Sequence, residues 1–193
     1  MKCLLVYAHP LKDSLCQEIT RHIAQELETK NHHIILKDLY QQQFDPALSA
    51  GERASYYQSD FGPEGTAEDI AELKDAEYLV LVFPTWWFGL PAILKGWIDR
   101  VFAPGHAYHH AQDLKSITPG LVKLKKVRVV TTLGSPWWVD KFVLREPVKK
   151  SLKYGVVAAC TKNCDFEMLS LYSSESLTPE KVNRFIGRVS KFL

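Results

Sequence analysis

The stretch EYLVLVFPTWWFGLPAILKGWIDRVF, residues 77–102, decides how the rest of the chain is read. Its first eight residues form an almost unbroken apolar run, which a strand buried on both faces requires. A helix opening at Pro91 follows, with Ile93, Leu94, Trp97, Ile98 and Val101 on one face. Between them stand Trp86, Trp87 and Phe88, three large rings in a connecting loop. Rings left in a loop expose apolar surface unless something covers them, so they serve an interface, an aromatic mini-core or a flat aromatic ligand.

The same strand–loop–helix unit recurs outward from this point. KCLLVYA (2–8) predicts a first buried strand, followed by a helix from about Ser14 with Leu15, Ile19, Ile23 and Leu27 in one i, i+4 row. Ser14 and Gln17 have capping-box spacing. HIILKDL (33–39) predicts the second strand, and residues 44–66, which include Tyr56-Tyr57, an irregular excursion with one short helix. A helix over 67–75 leads to the third strand, 77–84. KVRVVTT (126–132) predicts the fourth, residues 140–153 a helix, and GVVAAC (155–160) the fifth. Thr178-Pro179 reads as N-cap and N1 of a last helix with Val182, Phe185, Ile186 and Val189 at core spacing. Five strands alternating with helices predict an α/β fold: one domain over residues 1–193, a five-stranded parallel sheet in the flavodoxin-like order 2-1-3-4-5, and helices on both faces.

Composition narrows the function classes. Of 193 residues, 46% are hydrophobic and 24% charged, enough apolar material for a core. A net charge of +2 is too balanced for nucleic acid as the main partner, and KLKKVR (123–128) reads as a solvated lead-in to a strand. Cys3 and Cys160 sit in apolar runs, and Cys160 and Cys164 do not form a Cys-x-x-Cys pair, so a reduced, cytoplasmic chain is expected. The first apolar run is too short for a signal peptide or membrane span, so no transmembrane segment is expected.

In an open α/β sheet ligands bind beyond the carboxyl ends of the strands, at the switch point in strand order. Three loops meet there: 8–16, 84–90 and 131–138. AHPLKDSLCQ lacks both the dinucleotide glycine pattern and the Walker lysine. It offers a helix start whose Leu15, Cys16 and Gln17 amides suit a phosphate, or which is an ordinary cap. His9 either donates to an anion or caps the strand end. TTLGSPWW places two hydroxyls and Gly134 at the third loop, as a ring-binding turn or a plain strand-to-helix turn.

These motifs together resemble the NAD(P)H:quinone oxidoreductases, flavodoxin-like flavoproteins of the bacterial drug-activity-modulator type. FPTWWFGLPAILKGWIDRVF is similar to the family signature, YAHP…DSLCQ and TTLGS fall at the family's other two flavin loops in the right order, and DLYQQQFDP (38–46) also resembles a family run. The likeness covers at least residues 2–135. It implies FAD, with FMN as the alternative, and NAD(P)H as electron donor. Hydride would pass through flavin N5 to a quinone-like acceptor in ping-pong order. By position it implies that His9, Ser14, Leu15 and Cys16 hold the flavin phosphates. Pro84, Thr85, Trp86, Trp87 and Phe88 would line the ring, and Thr131, Thr132, Leu133 and Gly134 its pyrimidine side. Tyr108 and His110 match positions that reach a partner subunit's acceptor site, where Trp87 and Phe88 also belong, so a homodimer is implied. The histidines at 106, 109 and 110 are not spaced for a metal. Two departures stand out: Leu133 replaces a family glycine and is expected to narrow the pocket, and SPWWVDKFVLR lacks the family's Tyr and His that stabilise charge on the reduced flavin. No catalytic residue is assigned; Lys141 and Arg145 are candidates by charge alone. The alternative function is a flavin-binding ancillary subunit of a membrane transporter with weak reductase activity.

Overall fold

The computed structural model describes residues 1–56, 62–111 and 116–193; Tyr57 of the aromatic pair lies outside them. In chain order the first elements are β1 (Lys2–Tyr7), α1 (Leu15–Thr29), β2 (His33–Asp38), α2 (Ala50–Ser55), α3 (Ala67–Asp75), β3 (Tyr78–Pro84) and α4 (Ala92–Val101). A two-stranded antiparallel ribbon follows, β4 (Tyr108–His110) with β5 (Ile117–Pro119), then β6 (Lys126–Thr132). A π-helical turn (Val139–Val143) precedes a helical run made of α5 (Pro147–Lys150), a π-helical stretch (Ser151–Val157) and α6 (Ala158–Cys160). β7 (Asp165–Leu171) and α7 (Pro179–Phe192) end the chain. The five long strands form one parallel sheet in the order β2-β1-β3-β6-β7, the expected 2-1-3-4-5 arrangement.

Strand alternation explains why both faces are covered. Cys3, Leu5, Tyr7, Tyr78, Val80 and Val82 pack on one side against Ile19, Ile23 and Leu27 of α1 and Phe185 and Val189 of α7. Leu4, Val6, Leu79, Leu81 and Phe83 pack on the other against Ile70 and Leu73 of α3 and Ile93, Leu94, Trp97 and Val101 of α4. On α1 the first buried position is Cys16 rather than Leu15, which is only partly covered.

Two expectations need correction. The fifth strand is not GVVAAC: residues 155–160 are helical, with Val157 and Cys160 buried at i, i+3. A six-residue apolar run does not distinguish a strand from a buried helical turn. The true strand, DFEMLSL, has charged residues because it is an edge strand, and Arg128 of β6 pairs across to Asp165 at 2.6 Å and Glu167 at 3.4 Å. The capping box on α1 is half made. Gln17 N–H donates to Ser14 Oγ at 3.2 Å, but the Gln17 Oε1 atom is buried without a hydrogen-bond partner.

Pro46, early in the excursion, sits directly against α4. A Cβ at Gly96 would lie 2.2 Å from the carbonyl oxygen of Pro46, a backbone atom with no room to swing away. Gly96→Ala is therefore expected to lose at least about 1–3 kcal/mol by overpacking, read as a lower denaturant midpoint. An unchanged midpoint would mean that the excursion yields freely.

Candidate functional site

Parallel strands bring the loops after β1, β3 and β6 to the same carboxyl edge, and side-chain bonds tie the three together. Thr85 Oγ1 lies 2.8 Å from Thr131 Oγ1, and Thr85 N–H donates to the Thr132 carbonyl at 2.8 Å, joining the second loop to the third. Cys16 Sγ lies 3.6 Å from Thr132 Oγ1, joining the first to the third. Burial pushes the Cys16 thiol up to about 11, so it stays a neutral packing group.

The first loop is built around Ser14, the N-cap of α1. Its hydroxyl also lies 3.0 Å from Tyr7 Oη, which fixes the helix start to the end of β1. Gln17 N–H is taken up by Ser14, so the amides this fifteen-residue helix offers an anion are those of Leu15 and Cys16. Leu11 N–H donates to His9 Nδ1 at 3.1 Å, which leaves Nε2 to carry the proton. The His9 ring stands 6.3 Å from that of Trp86.

The second loop is a tight two-residue turn. Trp86 and Gly89 exchange both backbone bonds, at 3.2 and 2.9 Å, with Trp87 and Phe88 at its tip with φ of 50° and 53°. Turns of this kind prefer Asn-Gly; bulky side chains in the left-handed region cost about 1–2 kcal/mol each. Trp87 is 100% exposed and Trp86 42%. Strain of this kind persists where the surroundings impose it, and functional sites are common places for it. Pro84 has no N–H, and those of Thr85 and Trp86 are engaged, so a ring lying here meets the amides of Trp87 and Phe88.

The third loop opens with Leu133. It is 4% exposed, its N–H donates to the Leu171 carbonyl at 2.8 Å and its own carbonyl accepts from Ser174 N–H at 2.9 Å, which fixes this loop to the end of β7. Gly134 faces outward, with Glu175 Oε1 3.0 Å from where a Cβ would stand. Ser135, which sequence reading passed over, has a buried hydroxyl without a hydrogen-bond partner. Tyr172, also passed over, donates from its hydroxyl to the buried Asp140 carboxylate at 2.9 Å. Burial and that carboxylate push its ionisation up to about 12, so it anchors and does not titrate near neutrality. Lys141 and Arg145 stand exposed.

Tyr108 and His110 are not brought to this edge by their own chain. α4 carries the chain away from the 84–90 loop for ten residues, and the β4–β5 ribbon leaves from its far end. The two rings pack edge-on at 5.2 Å. Among the described residues no group of three or more His, Cys, Asp and Glu is placed to hold a metal, and no helix is long and apolar enough to cross a membrane. A cavity of about 550 Å³ opens beside Lys37, which pairs with Asp69, and Arg100, which pairs with Glu52.

The donor set fits a flavin: two first-turn amides and a histidine N–H suit a phosphate. A glycine and a strained aromatic turn suit a flat ring, and the Gln17 and Ser135 oxygens lack partners. The family described as having a flavodoxin-like fold matches residues 1–183. The chain is 33% identical over 168 residues to an uncharacterized NAD(P)H oxidoreductase of Haemophilus influenzae, covering 86% of this chain and 80% of that one. It is 32% identical over 127 residues to NAD(P)H dehydrogenase [quinone] 1 of Cavia porcellus, covering 57% of this chain and about half (46%) of that longer protein. The NAD(P)H:quinone oxidoreductase of Methanothermobacter marburgensis superposes with a TM-score of 0.84 at 22% identity, over 99% of this chain and 93% of that one.

Proposed function

The chain belongs to the flavodoxin-like NAD(P)H:quinone oxidoreductase family, and from that premise we propose that it is a flavin-dependent reductase of quinone-like acceptors. The observation that carries the reading is the convergence of three loops, cross-bonded through Thr85, Thr131, Thr132 and Cys16, at the carboxyl edge of the sheet. The alternative, a transporter's ancillary subunit, has no comparable support, since the relatives bear oxidoreductase names.

When bound, the flavin supplies the chemistry, accepting hydride from NAD(P)H and delivering it to the acceptor. FAD is the proposed form and FMN the alternative. Leu15 and Cys16 hold phosphate by their amides, and Ser14 orients that helix start. His9 adds a charge-assisted bond from Nε2–H. Pro84, Thr85, Trp86, Trp87 and Phe88 form the wall for the ring, with the amides of Trp87 and Phe88 as its donors. Thr131, Thr132, Leu133 and Gly134 bound the pyrimidine side. NAD(P)H and acceptor use the open face in turn. Tyr108 and His110 reach that face from a second copy, which makes the active species a homodimer. We place it in the cytoplasm, as a single domain.

Purified protein is expected to be yellow, with close to one flavin per chain, identified by mass spectrometry after release, and to reduce a simple quinone with NADH or NADPH. Colourless protein that takes up neither flavin would overturn the reading. Activity in a form that sediments as a monomer would remove the role of Tyr108 and His110.

A further inference from the structure

A second cavity, of about 480 Å³, runs along the outer flank of α3. Ala67, Ile70, Ala71 and Lys74 line it at i, i+3, i+4 and i+7, which is one face of that helix. His106 and the turn over 120–123 wall it on the other side. That wall is tied down: Gly120 N–H donates to the Ala107 carbonyl at 2.8 Å and Leu121 N–H to the Cys160 carbonyl at 3.0 Å. A Cβ at Gly120 would stand 2.5 Å from the His106 carbonyl oxygen, so the two segments are in close backbone contact. The cavity has the size of a small-molecule site and the same make-up, an apolar lining with a few polar groups.

Its charged groups gather at one end. Lys74, Asp75 and Lys123 stand where α3 hands over to β3 and the 120–123 turn leads to β6, at the amino edge of the sheet and away from the three loops. Asp75 is already engaged: Lys123 Nζ lies 2.6 Å from its Oδ1, and Lys2 pairs with its Oδ2. Hydrogen bonds from Lys123 and Lys2 hold the Asp75 carboxyl down at about 2, so it stays charged. Lys74 makes no ion pair among the described residues. Burial, then the charges of Lys74 and His109, hold His106 below its ordinary value of 6.5, so it is a neutral ring near neutral pH. The lining therefore carries Lys74 and Lys123 against Asp75 alone, one positive charge in excess.

We propose that this cavity binds a small amphipathic anion, with its apolar ring or chain against Ala67, Ile70, Ala71 and Val122 and its single acid group at Lys74. The proposal stands without the reductase reading, because no residue of the three loops lines the cavity. Charge complementarity selects this occupant. A neutral ligand would leave Lys74 unanswered, and a second copy centred here would set Lys74 and Lys123 against their own counterparts around the two-fold axis.

The test titrates 2-naphthoate and its uncharged amide, 2-naphthamide, into the purified full-length protein, by calorimetry and by amide chemical shifts, with and without added flavin. One equivalent of naphthoate is expected to bind in either case, about three- to fivefold tighter than the amide, the upper end of what one exposed ion pair contributes. Shifts should move at Ala71, Lys74 and Gly120 and stay fixed in the three loops. Lys74→Glu should erase the preference for the acid while the amide binds as before. Ala71→Phe should weaken both ligands by about tenfold or more, because its ring occupies their space. Both positions are exposed, so thermal midpoints should hold; if Ala71→Phe fails to fold, Lys74→Glu and the shift map still decide. Failure to bind either ligand, equal affinity for the two in the wild type, or a preference that survives Lys74→Glu overturns the proposal. So do shifts confined to the 84–90 and 131–138 loops, or competition by flavin, which would place the ligand at the other end of the sheet. A change on Lys74→Glu in the sedimenting species, or in retention on anionic phospholipid vesicles, with no change in naphthoate binding also overturns it, and assigns the face to a second copy or to a bilayer.

Discussion

Trp97→Ala should unfold far more easily than the wild type, while Trp87→Ala should leave the flavin-free protein as stable as before. Trp97 is fully buried between α3 and the sheet, and its indole N–H donates to Asp69 Oδ1 at 3.1 Å. Truncation leaves a cavity and an unpartnered contact, worth about 3–5 kcal/mol, a large fraction of a domain's total stability. Trp87 is fully exposed, so its removal forfeits no core packing. Trp87→Gly should even stabilise, by up to about 1 kcal/mol, because glycine tolerates the positive φ that tryptophan resists. Both Trp87 variants should retain flavin less well or turn over quinone more slowly. Urea unfolding of the flavin-free proteins, flavin titration and quinone reduction decide the matter. If Trp87→Ala binds flavin and reduces quinone as the wild type does, the aromatic turn has no part in the site.

Arg100→Leu is the second substitution expected to have a large effect. The guanidinium donates from Nε and Nη2 to Glu52, at 2.9–3.1 Å, and from Nη1 to the Asp45 carbonyl at 2.6 Å, and it also reaches the Glu64 carbonyl. Glu52 is 0% exposed and accepts in addition from Ser49 N–H at 3.0 Å and Glu64 N–H at 3.3 Å. Breaking such a pair leaves a buried carboxylate without its cation, at a cost of about 3–5 kcal/mol. The pH dependence separates this from a packing loss. Burial alone would raise the Glu52 carboxyl, but the Arg100 bonds and the two amides outweigh it and hold it below its ordinary value of 4.5. In the wild type that contribution is present above pH 4.5 and fades as pH falls through the lower folded value. In Arg100→Leu burial should dominate and raise the carboxyl, so acid relieves the variant by neutralising Glu52. The stability gap should therefore narrow as the pH is lowered toward and below 4.5. A gap that stays constant with pH would show that Glu52 was not left charged.

Much of the architecture was legible because parallel strands buried on both faces leave a plain mark. β1, β3 and β6 read as apolar runs with boundaries within a residue or two of those observed, and α3 and α7 begin where their sequence signals say. β7 was not legible. An edge strand meets water along one side, so DFEMLSL carries charges that resemble a loop, while the helical GVVAAC is more apolar than the strand itself. The β4–β5 ribbon was missed because three residues per strand are too few for a period to register.

By itself the sequence determined the first four strands of the parallel sheet, the three loops destined for one sheet edge, and the aromatic signature between Pro84 and Pro91. These are local properties, set by periodicity, by proline and by which residues can cap a helix. Only the tertiary structure decided which groups at that edge remain available. It buried Leu133, took up the amides of Thr85, Trp86 and Gln17, left Ser135 Oγ and Gln17 Oε1 without partners, and forced Trp87 and Phe88 into a left-handed turn. Those outcomes depend on which distant atom arrives within 3 Å, and residue types along a chain do not encode that one position at a time.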